Sequence, residues 1–151
     1  MAAADFNAIR RTIEKIVKTE MDNDPSYKVS FENVDFEPGK DNVESNLPQR
    51  WVQCLVNFGA GNYETLGGKT SSQNRITGVV VLNAFTPKGR GPKAGFILGK
   101  RLRDLYNRVT VDGELFFDSP EGPTVIAPAV FNGYFQTQVR VTFDFIEDLR
   151  P

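Results

Sequence analysis

The sequence predicts an α+β fold in which two helices pack on one mixed, mainly antiparallel β-sheet. Three patterns support this prediction: two amphipathic helical stretches at residues 5–21 and 94–107, a strongly apolar strand at 76–85, and a strictly alternating strand at 134–146. A chain of 151 residues fits one domain, 1–151, and can bury roughly two thirds of its unfolded surface. A substantial core is therefore expected.

Composition argues against several classes of function. The net charge of −1 gives no electrostatic reason to expect a nucleic-acid or membrane surface. No apolar run approaches the ~20 residues of a membrane span, and the first residues lack the pattern of a secretory signal. We therefore expect no membrane contact and a chain that stays in the cytoplasm in which it is made.

The chain has no histidine and one cysteine, Cys54. The commonest general base and metal ligand is thus missing, together with every Ser–His or Cys–His arrangement. A single cysteine cannot form an internal disulfide, and it makes a structural zinc site implausible. Cys54 lies on the apolar face of its strand, which predicts a core residue and not a nucleophile. We expect no enzyme activity, no cofactor and no metal.

The first elements follow from local periodicity. Apolar residues at gaps of three and four predict a helix at 5–21, with Asp5 as its N-cap and a stop at 21–25. A short strand is expected at 27–31, followed by a long surface loop at 32–47.

The next strand is predicted at residues 50–58. Its apolar residues alternate, yet Trp51 and Leu55 stand on the otherwise polar side. These two side chains indicate a second packed surface on the sheet.

Residues 59–74 have the most flexible composition in the chain, with four glycines and several Ser, Thr and Asn residues. Tyr63 and Leu66 are the only sizeable apolar side chains in this arm. Either the arm is a hairpin tip without a role, or a partner receives these two side chains and the arm is a contact element.

The strand at 76–85 is predicted to form the centre of the sheet. Four consecutive apolar residues at 79–82 leave no polar face, so both faces should be covered there. A buried helix is the alternative, but β-branched residues, Gly78 and the closing Pro87 favour a strand.

A basic loop, residues 87–93, connects this strand to the second helix. Its cations are Lys88, Arg90 and Lys93. The glycine spacing does not match a phosphate-binding loop, whereas Gly89, Gly91 and Ala94 satisfy the looser dinucleotide pattern. That pattern should follow its strand directly and open a longer βαβ series, so a turn before a helix is the simpler interpretation.

The second helix, 94–107, should cover the central strand with one apolar side. That side is predicted to contain Ala94, Ile97, Leu98, Leu102, Leu105 and Val109. Beyond it we expect a hairpin around residues 112–113, a turn at 119–123, a strand at 124–127 and a turn at 132–133.

The strand at 134–146 should have one buried face and one solvated face. The buried set is predicted to be Phe135, Thr137, Val139, Val141, Phe143 and Phe145. The solvated set is Gln136, Gln138, Arg140, Thr142 and Asp144.

With this element order and four particular phrases, the chain resembles the phage tail terminator (tail completion) family. The phrases are TLGG (65–68), RITGVVVLNAFTP (75–87), ELFFDSP (114–120) and NGYFQTQVRVTFDF (132–145). The resemblance covers almost the whole chain, although its motifs are structural.

The resemblance implies a structural virion protein, found in the tail or neck and in the host cytoplasm during assembly. Such a protein forms a homohexameric ring on the head-proximal end of the tail tube, ends tube polymerisation and joins neck or head-completion proteins. DNA would pass through the ring without specific binding, and Gln136, Gln138 and Arg140 are candidates to line the lumen. The expected contacts with another subunit or with the tail tube protein are Trp51, Tyr63, Leu66, Lys88, Arg90 and Lys93.

Two other functions stay open at this point. One is a head-completion or neck protein that binds on the portal side. The other, of a different class, is a small nucleotide-binding domain that uses the loop of residues 89–94.

Overall fold

The computed structural model describes residues 6–23, 28–38, 40–44, 47–63, 73–89 and 91–148. Within these ranges the chain forms two helices and nine strands. In order they are α1 (Phe6–Asp22), β1 (Lys28–Phe31), β2 (Val43–Glu44), β3 (Leu47–Pro48), β4 (Trp51–Tyr63), β5 (Gln73–Pro87), α2 (Lys93–Tyr106), β6 (Thr110–Val111), β7 (Leu115–Phe117), β8 (Glu121–Ile126) and β9 (Tyr134–Asp148).

Seven strands form one mixed sheet in the order β1-β4-β5-β9-β7-β6, and β8 also pairs with β9. Only the β1–β4 pair is parallel among these strands. β2 and β3 form a separate two-stranded hairpin. The predicted α+β class is therefore confirmed, and β5 lies inside the sheet as expected.

Strand pairing continues into the arm that was expected to begin at residue 59. Tyr63 is paired with Asn74, and the register shifts between Phe58 and Gly61. The start of the arm was therefore predicted too early. Backbone hydrogen bonds between β4 and β5 need no apolar side chains, and a β-bulge accommodates the shift in register. Residues 64–72, including Leu66, lie outside the described ranges.

Both helices begin and end within one residue of their predicted bounds. The predicted apolar side of α2 is confirmed for Leu98 and Leu102, which are fully buried. It was wrong for Ile97, which is 58% exposed, and it missed Gly95 and Gly99, which are buried. A Cβ atom on Gly95 would lie 2.8 Å from the Phe135 ring, and one on Gly99 would lie 2.6 Å from Pro123 Cβ. The two glycines let the helix backbone approach the sheet closely, and this turns Ile97 outward.

The main core lies between the helices and one face of β4, β5 and β9. The predicted buried face of β9 is confirmed from Thr137 to Phe145, where every second residue is fully buried. At the start of the strand it was wrong, because Phe135 is only half-buried and Gln136, predicted to be solvated, is buried. Cys54 is also buried in this core, as predicted, and burial raises the pKa of its thiol.

The opposite face of the sheet carries a second, smaller cluster. Trp51 stacks on Phe85 at a ring-centroid distance of 4.3 Å and on Phe36 at 4.7 Å, while Phe131 and Tyr134 meet its edge. The predicted second packed surface is therefore confirmed at this end of the sheet. It does not extend over the middle of β5, where Val79 and Val81 are only half-buried. The expectation that both faces are covered there was wrong.

The hairpin between β6 and β7 forms as predicted, with positive φ at Asp112 (54°) and Gly113 (68°). The turn predicted at 119–123 is partly wrong, since Glu121 already belongs to β8 and pairs with Arg140 of β9. A φ of 104° at Gly122 and an irregular register between Glu121 and Thr124 let the strand continue through this segment. Neither α1 nor α2, the helices of the described ranges, is long and apolar enough to cross a membrane.

Candidate functional site: an apolar cleft and an open sheet edge

A cleft of about 480 Å³ lies between the basic loop and the segment that joins β8 to β9. We call it the basic-loop cleft. Its walls are mainly apolar and include Val125, Ile126, Pro128, Phe131, Tyr134 and Phe135, whereas Lys88, Asn132 and Gln136 are polar. The cleft thus combines an apolar lining with a cationic rim.

Local backbone geometry shapes the basic-loop cleft. The N–H of Lys88 donates to the carbonyl of Gly133 at 3.0 Å and ties the basic loop to the turn before β9. Gly89 and Gly91 have φ values of 90° and 77°, which other residues adopt reluctantly. Pro92 then leads into α2.

The polar group at the base of the cleft is already engaged. Gln136 is 1% exposed. Its Oε1 accepts the N–H of Val130 at 2.9 Å, and its Nε2 donates to Asn83 Oδ1 at 2.9 Å. Gln136 therefore supports the cleft from inside the protein, and the prediction that it lies on the solvated face of the strand was wrong. Gln138 is half-buried and also donates to Asn83 Oδ1, at 3.1 Å, whereas Arg140 is exposed.

Apolar side chains are exposed beside the cleft. Val125 is 41% exposed and Val130 is 71% exposed, and the exposed Phe96 of α2 packs against Phe135, which lines the cleft. Grouped apolar exposure of this kind is typical of a contact surface. Sequence reasoning missed Val125 and Val130. The one available signal was an isolated valine within the turn-rich sequence APAVFNG.

One edge of the sheet is open over half the length of β4. β1 pairs only with residues Trp51 to Cys54 of β4. The carboxylate of Glu32 then accepts the N–H of Val56 at 2.7 Å. From residue 57 to residue 63, no strand of the described ranges pairs on that side. We call residues 57–63 the open β4 edge.

The residues predicted from sequence are distributed unevenly over these two surfaces. Lys88 lines the cleft, and Lys93 is exposed at the start of α2. The backbone of Tyr63 ends the open β4 edge. Trp51 is 0% exposed inside the second cluster and offers no surface to a partner. Leu66 and Arg90 lie outside the described residues.

The described residues were compared with the requirements of a metal site. Among them, no group of three or more His, Cys, Asp or Glu side chains is placed to hold a metal ion. The cleft and the open edge instead present apolar side chains, exposed lysines and backbone hydrogen-bonding groups.

The structure defines an α+β protein whose described residues include an apolar cleft and, separate from it, an unpaired strand edge. No protein-family model matches the sequence, and no curated protein is significantly similar to it. Several solved structures are similar. One of them matches over 93% of this chain and 95% of its own, with a TM-score of 0.60 and 16% sequence identity. At this identity the similarity shows a shared fold alone.

Proposed function

We propose that this protein is a structural virion protein that forms a homohexameric ring on the head-proximal end of a phage tail tube. In this role it ends tube polymerisation and joins the tail to the neck proteins. The sequence resemblance to tail terminators suggests the role, and one structural observation supports it most. The described chain has two dissimilar contact surfaces on opposite sides of one sheet.

The strand order separates these surfaces. The open β4 edge is at one side, and the basic-loop cleft adjoins β8, three strand steps away. At ~4.8 Å per step this is roughly 14 Å across the sheet. Dissimilar patches that meet head to tail generate rings or filaments, whereas a two-fold dimer uses one patch twice. Two separate surfaces therefore favour a cyclic assembly.

The test is to mix the purified chain with polymerising tail tube protein. We expect rings at one end of each tube in electron micrographs and tubes that stop growing. Lys88→Glu and Val130→Asp should weaken ring formation, since they alter the rim and an exposed apolar side chain without touching the core. Lys15→Glu, on the exposed side of α1, is the matched control and should behave like the unmodified protein.

A chain that neither associates with itself nor binds tube ends, at any ratio, would refute the tail-terminator role. Binding to portal complexes in place of tubes would support a head-completion protein instead.

A nucleotide-binding domain is the second candidate, and the cleft beside Lys88 and Gly89 is the observation that favours it. Calorimetric titration with nucleotides decides this point. Binding that is lost in Arg90→Ala and Lys93→Ala would support it, whereas an absence of heat would exclude it.

A further inference from the structure

We propose that neighbouring copies join by β-strand addition, in which the open β4 edge of one copy pairs with the outer side of β8 from the next. One sheet would then run through the ring. This inference rests on the proposed ring and specifies how its subunits meet.

The backbone of the open β4 edge has donors that point away from the sheet. The N–H of Val56 points outward, since it donates to the Glu32 carboxylate. The register pairs Val56 with Val80, Phe58 with Gly78 and Gly61 with Ile76. Partners two residues apart on β5 keep the same orientation, so the N–H groups of Phe58 and Gly61 also point outward. Because Val56 already bonds to Glu32, the N–H groups of Phe58 and Gly61, on either side of the bulge, are the two that an added strand would accept.

The composition of this edge supports the same conclusion. Exposed edge strands are usually protected by Lys, Pro or inward-pointing charge. Residues 57–63, NFGAGNY, contain no charged residue and no proline. The first half of the same edge is covered by β1 and by Glu32. Along the second half, the described residues place no strand, charge or proline beside the edge, and the bulge between Phe58 and Gly61 is the one protecting feature there. A partner strand would cover this half.

The other side of the sheet offers a strand of suitable direction. β4, β5, β9 and β8 alternate in direction, because each successive pair is antiparallel. β8 therefore runs antiparallel to β4, and a second copy in the same orientation presents it for antiparallel pairing. On its outer side β8 pairs with no strand of the described ranges. Pro123 has no N–H, so residues 124–126 of β8 would make the pairing. Glu121, the charged residue of β8, would meet no like charge in residues 57–63.

The required offset between copies fits a closed ring. In the register of the sheet, Thr124 of β8 pairs with Gln138 of β9, and Gln138 pairs with Asn83 of β5. Asn83 in turn pairs with Gln53 of β4. β1 occupies β4 near Gln53, so an incoming β8 has to slide about six residues, ~20 Å, to reach the open edge. From β4 of one copy to β4 of the next, the sheet would cross four strand spacings, about 19 Å in all. The two steps together tilt the strands by about 45°, which lies at the upper end of the range for closed barrels.

Hydrogen exchange on the unmodified chain tests the pairing. Free chains and rings on tube ends are compared by mass spectrometry with residue-level fragmentation. We expect the amides of Phe58 and Gly61 to exchange at least about tenfold more slowly in the ring. The amide of Val56, already bonded to Glu32, should change little.

A matched pair of variants tests the outward N–H itself. Gly61→Pro removes it, whereas Gly61→Ala retains it, and circular dichroism of the free chains checks that both fold. Gly61→Pro should lose one backbone hydrogen bond at each contact between copies. We therefore expect its association constant for ring assembly to be about fivefold or more below that of Gly61→Ala.

Rings whose Phe58 and Gly61 amides still exchange rapidly would overturn strand addition and leave the ring itself intact. A chain that forms no ring even on tubes would overturn both proposals.

Discussion

The substitution Gly78→Ala tests how tightly the main core is packed. Gly78 lies in β5 between Phe58 of β4 and Phe143 of β9. A Cβ atom there would lie 2.6 Å from the carbonyl oxygen of Asn57 and would also overlap Cζ of Phe143. Phe143 is fully buried and packs edge-on against Phe58 at 5.8 Å, so its ring has no room to withdraw.

The magnitude follows from two opposing effects. Overpacking of a core costs about 1–3 kcal/mol, and contact with a backbone atom places this site at the upper end. Alanine recovers about 0.5–1 kcal/mol of chain entropy relative to glycine. We therefore expect the free energy of unfolding to fall by about 2 kcal/mol, and Tm to fall by roughly 4–8 °C for a domain of this length.

Urea unfolding followed by the fluorescence of Trp51, the single tryptophan, measures the loss. Gly59→Ala is the matched control, because its nearest neighbour, the carbonyl oxygen of Thr77, would be 3.2 Å from the new Cβ. That variant should lose less than about 1 kcal/mol. Equal stability of Gly78→Ala and Gly59→Ala would refute the packing argument.

Two further predictions concern buried aromatic residues. Trp51→Ala should lower the free energy of unfolding by about 3–5 kcal/mol in denaturation followed by circular dichroism. Trp51→Phe should cost much less, because the buried indole Nε1 has no hydrogen-bond partner among the described residues to lose; equal losses would contradict this. Tyr106 donates its hydroxyl to the Ile13 carbonyl at 2.7 Å, and burial raises its pKa well above the ordinary 10.0. A raised folded-state pKa predicts stability that is constant below about pH 10 and falls above it, and Tyr106→Phe should cost ~1 kcal/mol at neutral pH while reducing the alkaline loss. An unchanged alkaline slope in that variant would argue against this assignment.

The elements with strong periodicity were predictable from sequence. The bounds of α1 and α2 and the alternation of β9 from Thr137 to Phe145 follow from residue spacing alone. The buried side of α2 was not predictable, because Gly95 and Gly99 carry no apolar side chain to mark it. Their role depends on Phe135 and Pro123, which are distant in sequence.

The candidate site was only partly predictable for a similar reason. Sequence drew attention to Lys88 and to the basic loop, yet the opposite wall of the cleft comes from residues about 40 positions later, such as Val125 and Phe131. Trp51 was recognised as unusual on its face, but the rings of Phe36 and Phe131 that enclose it are fixed by tertiary structure. The open β4 edge follows from where β1 ends, which composition does not reveal.

The burial of Cys54 has a practical consequence for spectroscopy. It is the single cysteine of the chain, it is enclosed in the main core, and its thiol stays protonated because burial raises its pKa. Maleimide and methanethiosulfonate reagents react with accessible thiolates. A cysteine introduced on either contact surface would accept a spin label without prior removal of the native one, so distances between copies can be measured in the otherwise natural sequence.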